Sequence, residues 1–421
     1  MTTHRTPTPA DLGDDLDLDI DFDIDRNHEL DPEADATDVI VVGARAAGAA
    51  TALLLARAGL RVLVVDRSRY GADTLSTHAL MRGGVVQLHR WGLLERVVAA
   101  DTPPIRSTSF DYGTERITLA VKPAHGVDAL YAPRRTVLDP ILVDAAREAG
   151  ARVRYGITVH DVVRDPAGRV CGIRGRDTDG TPVEHRARWV VGADGTRSAV
   201  AEAVGAPFER LGRGASAFSY GYWSDLEVAG YEWVFRPGAC AGLIPTNDGQ
   251  VCVFTGSTPA RIGRGGRAVF EEIVAEASPD VAARLASATA SGGLRTFAGR
   301  PGYLRRSHGP GWALVGDAGY WKDPISAHGL TDALRDAELL AWAILDERDD
   351  PTGEGAALRA YQATRDRLAA DLFEVTDVIA GQAWTDEEIP GLLMRLSSAA
   401  AAEVDATDRL AAERPAAPVA A

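Results

Sequence analysis

The chain has 421 residues, 46% hydrophobic and 25% charged, a balance that suits a soluble globular protein of two or three domains or one large α/β unit with an insertion. A formal charge of −15 and an aromatic content of 6% argue against a nucleic-acid partner. Cys171, Cys240 and Cys252 form no CxxC pair, so neither a disulfide framework nor a metal site is indicated and a reducing, cytoplasmic setting is expected.

In chain order, residues 1–37 are rich in Thr, Pro and Asp, and the first 38 positions hold 13 acidic and 2 basic side chains. The alternation from Asp14 to Asp25 would line one face of a strand with like charges, so this segment reads as a disordered, solvated tail. The N-terminus is neither basic nor followed by an apolar core, and no uncharged run exceeds about a dozen residues, short of the roughly 18 that span a bilayer. Neither an export signal nor a transmembrane segment is expected.

Order begins at the β-branched run Asp38 to Val42, which ends at Gly43 and leads into an Ala- and Leu-rich helix from Ala46 to Ala58 closed by Gly59. A strand from Leu60 to Val65 ends in Asp66, completing a βαβ unit of about 28 residues. Farther on, Asp139 as N-cap, Pro140 at N1 and Gly150 past the end bracket a helix, and Ala151 to Val159 reads as a strand. Turns at 165–168 and 177–180 mark hairpins before a strand from Ala187 to Val191. Residues 208–257 read as an antiparallel sheet carrying Tyr220, Tyr222, Trp223, Trp233 and Phe235. Helical patterning follows from Arg267 to Ala290. A strand from Trp312 to Val315 then precedes a long helix from about Leu330 to Asp346, with further helices over 356–376 and about 386–413.

Three segments carry chemistry. Gly43-Ala44-Arg45-Ala46-Ala47-Gly48 joins strand to helix where GxGxxG belongs, with Asp66 eighteen residues beyond Gly48. Gly43 permits the tight turn, Gly48 permits close helix–sheet packing, the helix N-terminus offers free N–H groups to a pyrophosphate, and the acid suits ribose hydroxyls. Arg45 replaces the middle glycine and brings a guanidinium that suits phosphate. The other two segments are Gly192-Ala193-Asp194-Gly195 after a strand, and Val315-Gly316-Asp317 at the end of another.

In this order the trio resembles the FAD-binding proteins of the para-hydroxybenzoate hydroxylase-like superfamily, which includes group A flavin monooxygenases, geranylgeranyl reductases and flavin-dependent halogenases. The resemblance covers roughly residues 38–346. It implies an α/β fold: a three-layer Rossmann-like FAD-binding domain with an inserted antiparallel β-sheet substrate domain and C-terminal helices. The FAD-binding parts would be 38–105, 131–205 and 296–350, the substrate parts 106–130 and 206–295, and the C-terminal helices 351–421.

Residue by residue, the resemblance places Gly43, Ala46, Ala47 and Gly48, with Arg45, at the pyrophosphate, Asp66 at the adenosine ribose and Arg67 near the adenine. Arg135 would face the phosphates or ribityl chain, with Arg134 as its competitor. Asp194 and Gly195 belong to a motif associated with both FAD and nicotinamide, and Gly316 and Asp317 would meet the ribityl hydroxyls. Pro324, Gly329 and Leu330 lie on the loop beside the flavin ring, where helix N–H groups stabilise negative charge. No second nucleotide fingerprint occurs, so NAD(P)H would bind transiently on the same domain.

His78, Lys322 and His328 are the candidates for acting on substrate, each weighed against a structural role. Tyr220, Tyr222, Trp233 and Phe235 alternate along strands and would wall a flat apolar pocket, with sheet packing as the plain alternative. The reading is a cytoplasmic monooxygenase of secondary metabolism. It takes electrons from NAD(P)H, and a flavin C4a-hydroperoxide hydroxylates a small aromatic or polyketide-like metabolite, in a monomer or homodimer. A geranylgeranyl-reductase-type enzyme is the alternative. A halogenase is a weaker one, because Lys322 sits on the flavin loop and the segment Tyr231-Glu232-Trp233-Val234-Phe235 departs from WxWxIP. A flavin-bound, non-catalytic partner protein is weaker still.

Overall fold

Val39–Val42 becomes the centre of a parallel sheet, flanked by Val62–Asp66 on one side and Trp189–Gly192 on the other, with Arg152–Tyr155 and Trp312–Leu314 outside them. The two-residue strand His308–Gly309 pairs antiparallel at one edge. All four residues of the central strand are buried, because both faces of the sheet are covered, which explains its unbroken hydrophobic run. The computed structural model describes residues 37–113, 115–349 and 355–414, so the acidic segment lies, as far as residue 36, outside the described residues.

Alternate side chains settle the layers. Val39, Val41, Val62, Val64 and Val191 pack on the helices Ala46–Arg57, Arg135–Glu148 and Gly329–Asp349. Ile40, Val42, Leu63, Val65 and Val190 pack on the opposite side against a three-stranded sheet of Thr158–Arg164, Val170–Arg176 and Pro182–Arg186, and against the short helix Ala199–Ala203. This is the three-layer α/β arrangement the sequence implied.

A second, seven-stranded sheet runs in the order Thr289–Phe297, Ala217–Ser224, Val251–Ser257, Ala239–Pro245, Tyr231–Arg236, Ser107–Asp111 and Arg116–Ala120. It is antiparallel except where Tyr231–Arg236 runs parallel to Ser107–Asp111. One face packs on the helix Gly266–Ala277, where Trp223 stacks on Phe270 at 5.3 Å. The other carries Phe218, Tyr220, Tyr222, Trp233, Phe235 and Phe254 and lies under Leu372, Val375 and Ile379 of the helix Ala356–Ala380, and Ile389 and Leu393 of the helix Ile389–Ala412. No helix among the described residues is long and apolar enough to cross a membrane.

Four expectations need correction. The helix read as starting at Pro140 begins at Arg135, so Asp139 is not its N-cap and is free to pair with Arg135. The strand read over 151–159 breaks at Gly156, whose φ of +75° turns the chain out of the parallel sheet and into the three-stranded one. The helix read over 267–290 ends at Ala277. Ser278 caps a second helix, Pro279–Ala286, and Thr289–Phe297 is a mostly exposed edge strand with no apolar alternation to betray it. Finally, Phe208–Leu211 leaves the aromatic sheet and pairs with Tyr303–Arg305 in a separate small one.

Candidate active site

The carboxyl ends of the central parallel strands converge on the start of the first helix. Gly43 has φ +108°, and a Cβ there would meet the Ala193 carbonyl oxygen at 2.4 Å. A Cβ on Gly48 would stand 1.8 Å from the Gly43 carbonyl oxygen, so no other residue fits either place. The helix Ala46–Arg57 has no side-chain cap on Arg45, which leaves its first-turn N–H groups free for an anion.

Side chains at this end reinforce that charge preference. Arg135 grips Asp139 with two hydrogen bonds of 3.0 and 2.9 Å, and Nη1 of Arg45 lies 3.9 Å from the same carboxylate with no hydrogen-bond partner of its own. Burial raises the Asp139 pKa, opposed by Arg135. Two guanidinium groups thus flank one buried carboxylate beside an uncapped helix. Arg134 turns away: it donates to Gln250 at 2.7 Å and lies 4.0 Å over the Tyr222 ring. Of the two competing arginines, Arg135 therefore faces the groove and Arg134 serves the sheet.

Asp66 is buried and already engaged. One oxygen accepts the Ala44 N–H at 2.7 Å, and the other accepts the Ser68 N–H and hydroxyl at 2.7 and 2.6 Å. It braces the loop, and only its remaining lone pairs are open to ribose hydroxyls. Arg67 beside it is exposed. Asp194 also has a structural task, because one of its oxygens accepts the N–H groups of Ala199 and Val200 at 2.7 and 3.3 Å, while the other is buried without a partner. Gly195 supplies the turn with φ +79°.

Asp317 is different. Its carboxylate accepts no hydrogen bond from the described residues, yet burial raises its pKa to about 6 against the pull of Arg135 and Lys322. Gly316 before it, at φ +58°, holds the chain so close to Ala47 that a Cβ would approach that methyl to 2.9 Å. An unpartnered, half-buried acid beside the anion site suits the hydroxyls of a polyol. The free helix N–H groups, the arginine pair and Asp317 together fit a dinucleotide with a ribityl chain.

The loop Pro324–Ser326 follows, and Ala327 enters the left-handed region at φ +54° before the long helix starts at Gly329. Asp323, which opens the segment that the resemblance places beside the flavin ring, accepts the Ser216 N–H and hydroxyl at 2.7 and 2.8 Å and the Ile325 N–H at 3.0 Å. It thereby ties this loop to the residue before the aromatic sheet's strand Ala217–Ser224. Ile325 and Ala327 pack against the cluster that holds Tyr220, Tyr222, Trp233 and Phe235.

The three polar candidates fall into two groups. His78 is buried with φ +70°, and its Nε2 hydrogen-bonds the Tyr222 hydroxyl at 2.5 Å while its Nδ1 has no partner. Burial pushes it down to about 3, so it stays neutral. Nearby, Asp73 pairs with Arg295 at 2.7 Å, and the Tyr220 hydroxyl accepts the Ser76 N–H at 3.0 Å. His328 is also held neutral by burial, at about 3, and hydrogen-bonds the Ser326 carbonyl. Lys322 is buried behind the loop, ion-paired with Asp332. Sequence reasoning missed Asp73, Arg295 and the partners of Lys322, because the pairings of Asp73 with Arg295 and of Lys322 with Asp332 are made by tertiary packing.

The profile of the FAD binding domain family matches residues 36–376. Digeranylgeranylglycerophospholipid reductase 1 of Methanopyrus kandleri is 27% identical over 82% of this chain and 89% of its own length. Aklavinone 12-hydroxylase RdmE of Streptomyces purpurascens is 33% identical over 48% of this chain and 40% of its own. In fold, the myxobacterial chondrochloren halogenase CndH superposes with a TM-score of 0.72 at 23% identity over 81% of each chain. PqsL of Pseudomonas aeruginosa superposes at 0.71 and 20% identity, over 85% of this chain and all of its own.

Proposed function

From the premise that this chain belongs to the FAD binding domain family, an oxidoreductase family within the para-hydroxybenzoate hydroxylase-like superfamily, we propose that it is an NAD(P)H-dependent monooxygenase. Its substrate is a flat aromatic or polyketide-like metabolite bearing a phenolic hydroxyl. The observation that carries this reading is the convergence of one aromatic sheet face with the loop that follows Asp317. The partial match to a protein named as a hydroxylase supports it.

When bound, FAD supplies the redox chemistry, accepting electrons from the nicotinamide and passing them to oxygen. The chain's own residues bind, orient and dry the site. The N-terminus of Ala46–Arg57 with Arg45 and Arg135 takes the pyrophosphate, Asp66 and Asp317 take the ribose and ribityl hydroxyls, and the start of the helix at Gly329 and Leu330 faces the ring. Tyr220, Tyr222, Trp233 and Phe235 form an apolar wall from which the helices Ala356–Ala380 and Ile389–Ala412 exclude water. Neutral His78 holds the Tyr222 hydroxyl in place through Nε2, so that this hydroxyl can hydrogen-bond the phenolic oxygen of the substrate. In this scheme Lys322 and His328 act on the loop rather than on substrate.

The test is anaerobic reduction of the yellow protein by NADH or NADPH, followed by admission of isotopically labelled oxygen with a panel of phenolic and polyketide substrates. One labelled oxygen atom in the product supports the reading. Failure of reduction, or release of all the oxygen as peroxide together with hydrogenation of an isoprenoid alkene, replaces it with a reductase. That second reading is favoured by the near full-length match to a digeranylgeranylglycerophospholipid reductase. The burial of Lys322 in an ion pair lends no support to halogenation.

A further inference from the structure

Behind the loop lies a set of charges that FAD binding does not require. Lys322 meets Asp332, and Arg335 bonds Asp332 at 3.2 Å, Asp336 at 2.6 Å and Glu403 at 2.8 Å. All five are buried, Asp336 completely. Two cations stand against three carboxylates, the second oxygen of Asp336 has no partner, and no acceptor other than Asp332 reaches the Lys322 ammonium among the described residues. A buried cluster with excess negative charge favours retention of a proton.

Other elements frame the cluster without balancing it. From the helix Ala356–Ala380, Arg365 faces Asp336 but is paired with Asp366 at 2.5 Å. Tyr320 presents its ring to Lys322 and Arg335 at 5.1 and 5.5 Å, Tyr361 donates to the Leu314 carbonyl, and His328 is neutral. On the groove side Asp317 faces Lys322. On the outer side Glu403 and Arg335 line a cavity of about 10 Å³, room for one water, whose far wall includes Gln87, Arg90 and Asp408. Arg90 also binds Glu338, while Asp408 meets half-exposed His125 at 3.0 Å and so opens to solvent.

We propose that Lys322, Asp332, Arg335, Asp336 and Glu403 form a redox-linked proton site, which takes a proton from solvent through the Glu403 cavity when the cofactor beyond Asp317 gains negative charge, and returns it on reoxidation. The electrons come from NAD(P)H or an electrode mediator, and the proton comes from water; no bond to substrate is made or broken. Burial brings the Lys322 ammonium down to about 7, within reach of neutral pH, although the proton belongs to the cluster as a whole. The inference rests on FAD binding and is independent of which substrate is oxidised.

The experiment is a spectroelectrochemical titration of the purified holoenzyme from pH 6 to 9, with indicator-dye measurement of protons taken up on anaerobic reduction. Each extra proton per two electrons steepens the potential by about 30 mV per pH unit. Wild type is expected to take up more protons than free FAD in the same buffer, with a break in slope near neutral pH. Glu403→Gln removes a negative neighbour of Lys322 and moves the break to lower pH, and Lys322→Met abolishes it. A wild-type slope and uptake equal to those of free FAD overturn the proposal whether or not either variant folds. Slopes and breaks unchanged in both variants overturn it as well, since a purely structural role would alter stability alone.

Discussion

The groove end and the aromatic end of this protein are built from different materials. At Gly43, Gly48 and Gly316 the groove is made of backbone, placed by glycines at which a Cβ would overlap a neighbouring atom. At Tyr220, Tyr222, Trp233 and Phe235 the wall is made of side chains, each held by residues remote in sequence, such as Thr108 on the Trp233 indole and Trp384 against Phe235. A backbone-made site tolerates no substitution at its few contact points but survives change around them. A side-chain-made wall tolerates replacement and changes what it accepts.

The sharpest way to break this contrast is Gly48→Ala. With the Gly43 carbonyl 1.8 Å from the new methyl, the strand–helix joint must open. We expect colourless, poorly folded protein and an overpacking cost above about 3 kcal/mol; a yellow variant with unchanged Tm would refute the backbone account. Trp233→Ala probes the other half. Loss of a buried indole should cost about 3–5 kcal/mol in urea unfolding yet leave flavin content intact and raise KM for substrate. Flavin loss in parallel with stability would erase the distinction between the two ends.

Asp317→Ala lies between them, a side chain in the backbone-made half. Removing a charged acceptor of polyol hydroxyls should weaken FAD by roughly 10- to 100-fold, read from fluorescence as the cofactor is released. Full occupancy would mean that the unpartnered carboxylate has some other purpose. The last prediction concerns pH and leaves the cofactor untouched. His328 is pushed down to about 3 in the fold, from an ordinary value of 6.5, so below about 6.5 the unfolded chain binds a proton that the folded one refuses. Its contribution is complete above that pH and is lost toward 3, at up to about 1.4 kcal/mol per pH unit. Urea midpoints of His328→Gln between pH 4 and 7 should fall less steeply than those of wild type, and parallel curves would discard the assignment.

The same contrast explains what the sequence disclosed. The motifs around Gly43, Asp194 and Asp317 are short-range patterns in which turn, strand end and helix start lie within a few residues, so they carried the resemblance that implied the three-layer fold. The alternation of Tyr220 with Tyr222 and of Trp233 with Phe235 signalled a shared face, and the structure places all four on one side. Whether Arg134 or Arg135 faces the groove could not be read, because the answer depends on Asp139 one helical turn on and on Gln250 just before the distant strand Val251–Ser257. Lys322 stood out as one of two lysines, but its partner Asp332 and the more distant Glu403 are set by tertiary packing alone. The edge strand Thr289–Phe297 escaped because exposed edges need no apolar pattern.

Asp323 has a consequence for how such a protein can diversify. By accepting from both the N–H and the hydroxyl of Ser216, it welds the loop after Asp317 to the strand Ala217–Ser224 of the aromatic sheet. A chimera that imports a relative's sheet to acquire a new substrate must therefore carry its own matching serine–aspartate joint, or the imported wall will hang at the wrong height above the loop. Variation inside the wall is cheap and local, whereas variation at this hinge shifts every wall residue together. Recombination should succeed when its crossover points lie outside the pair and fail when they separate it.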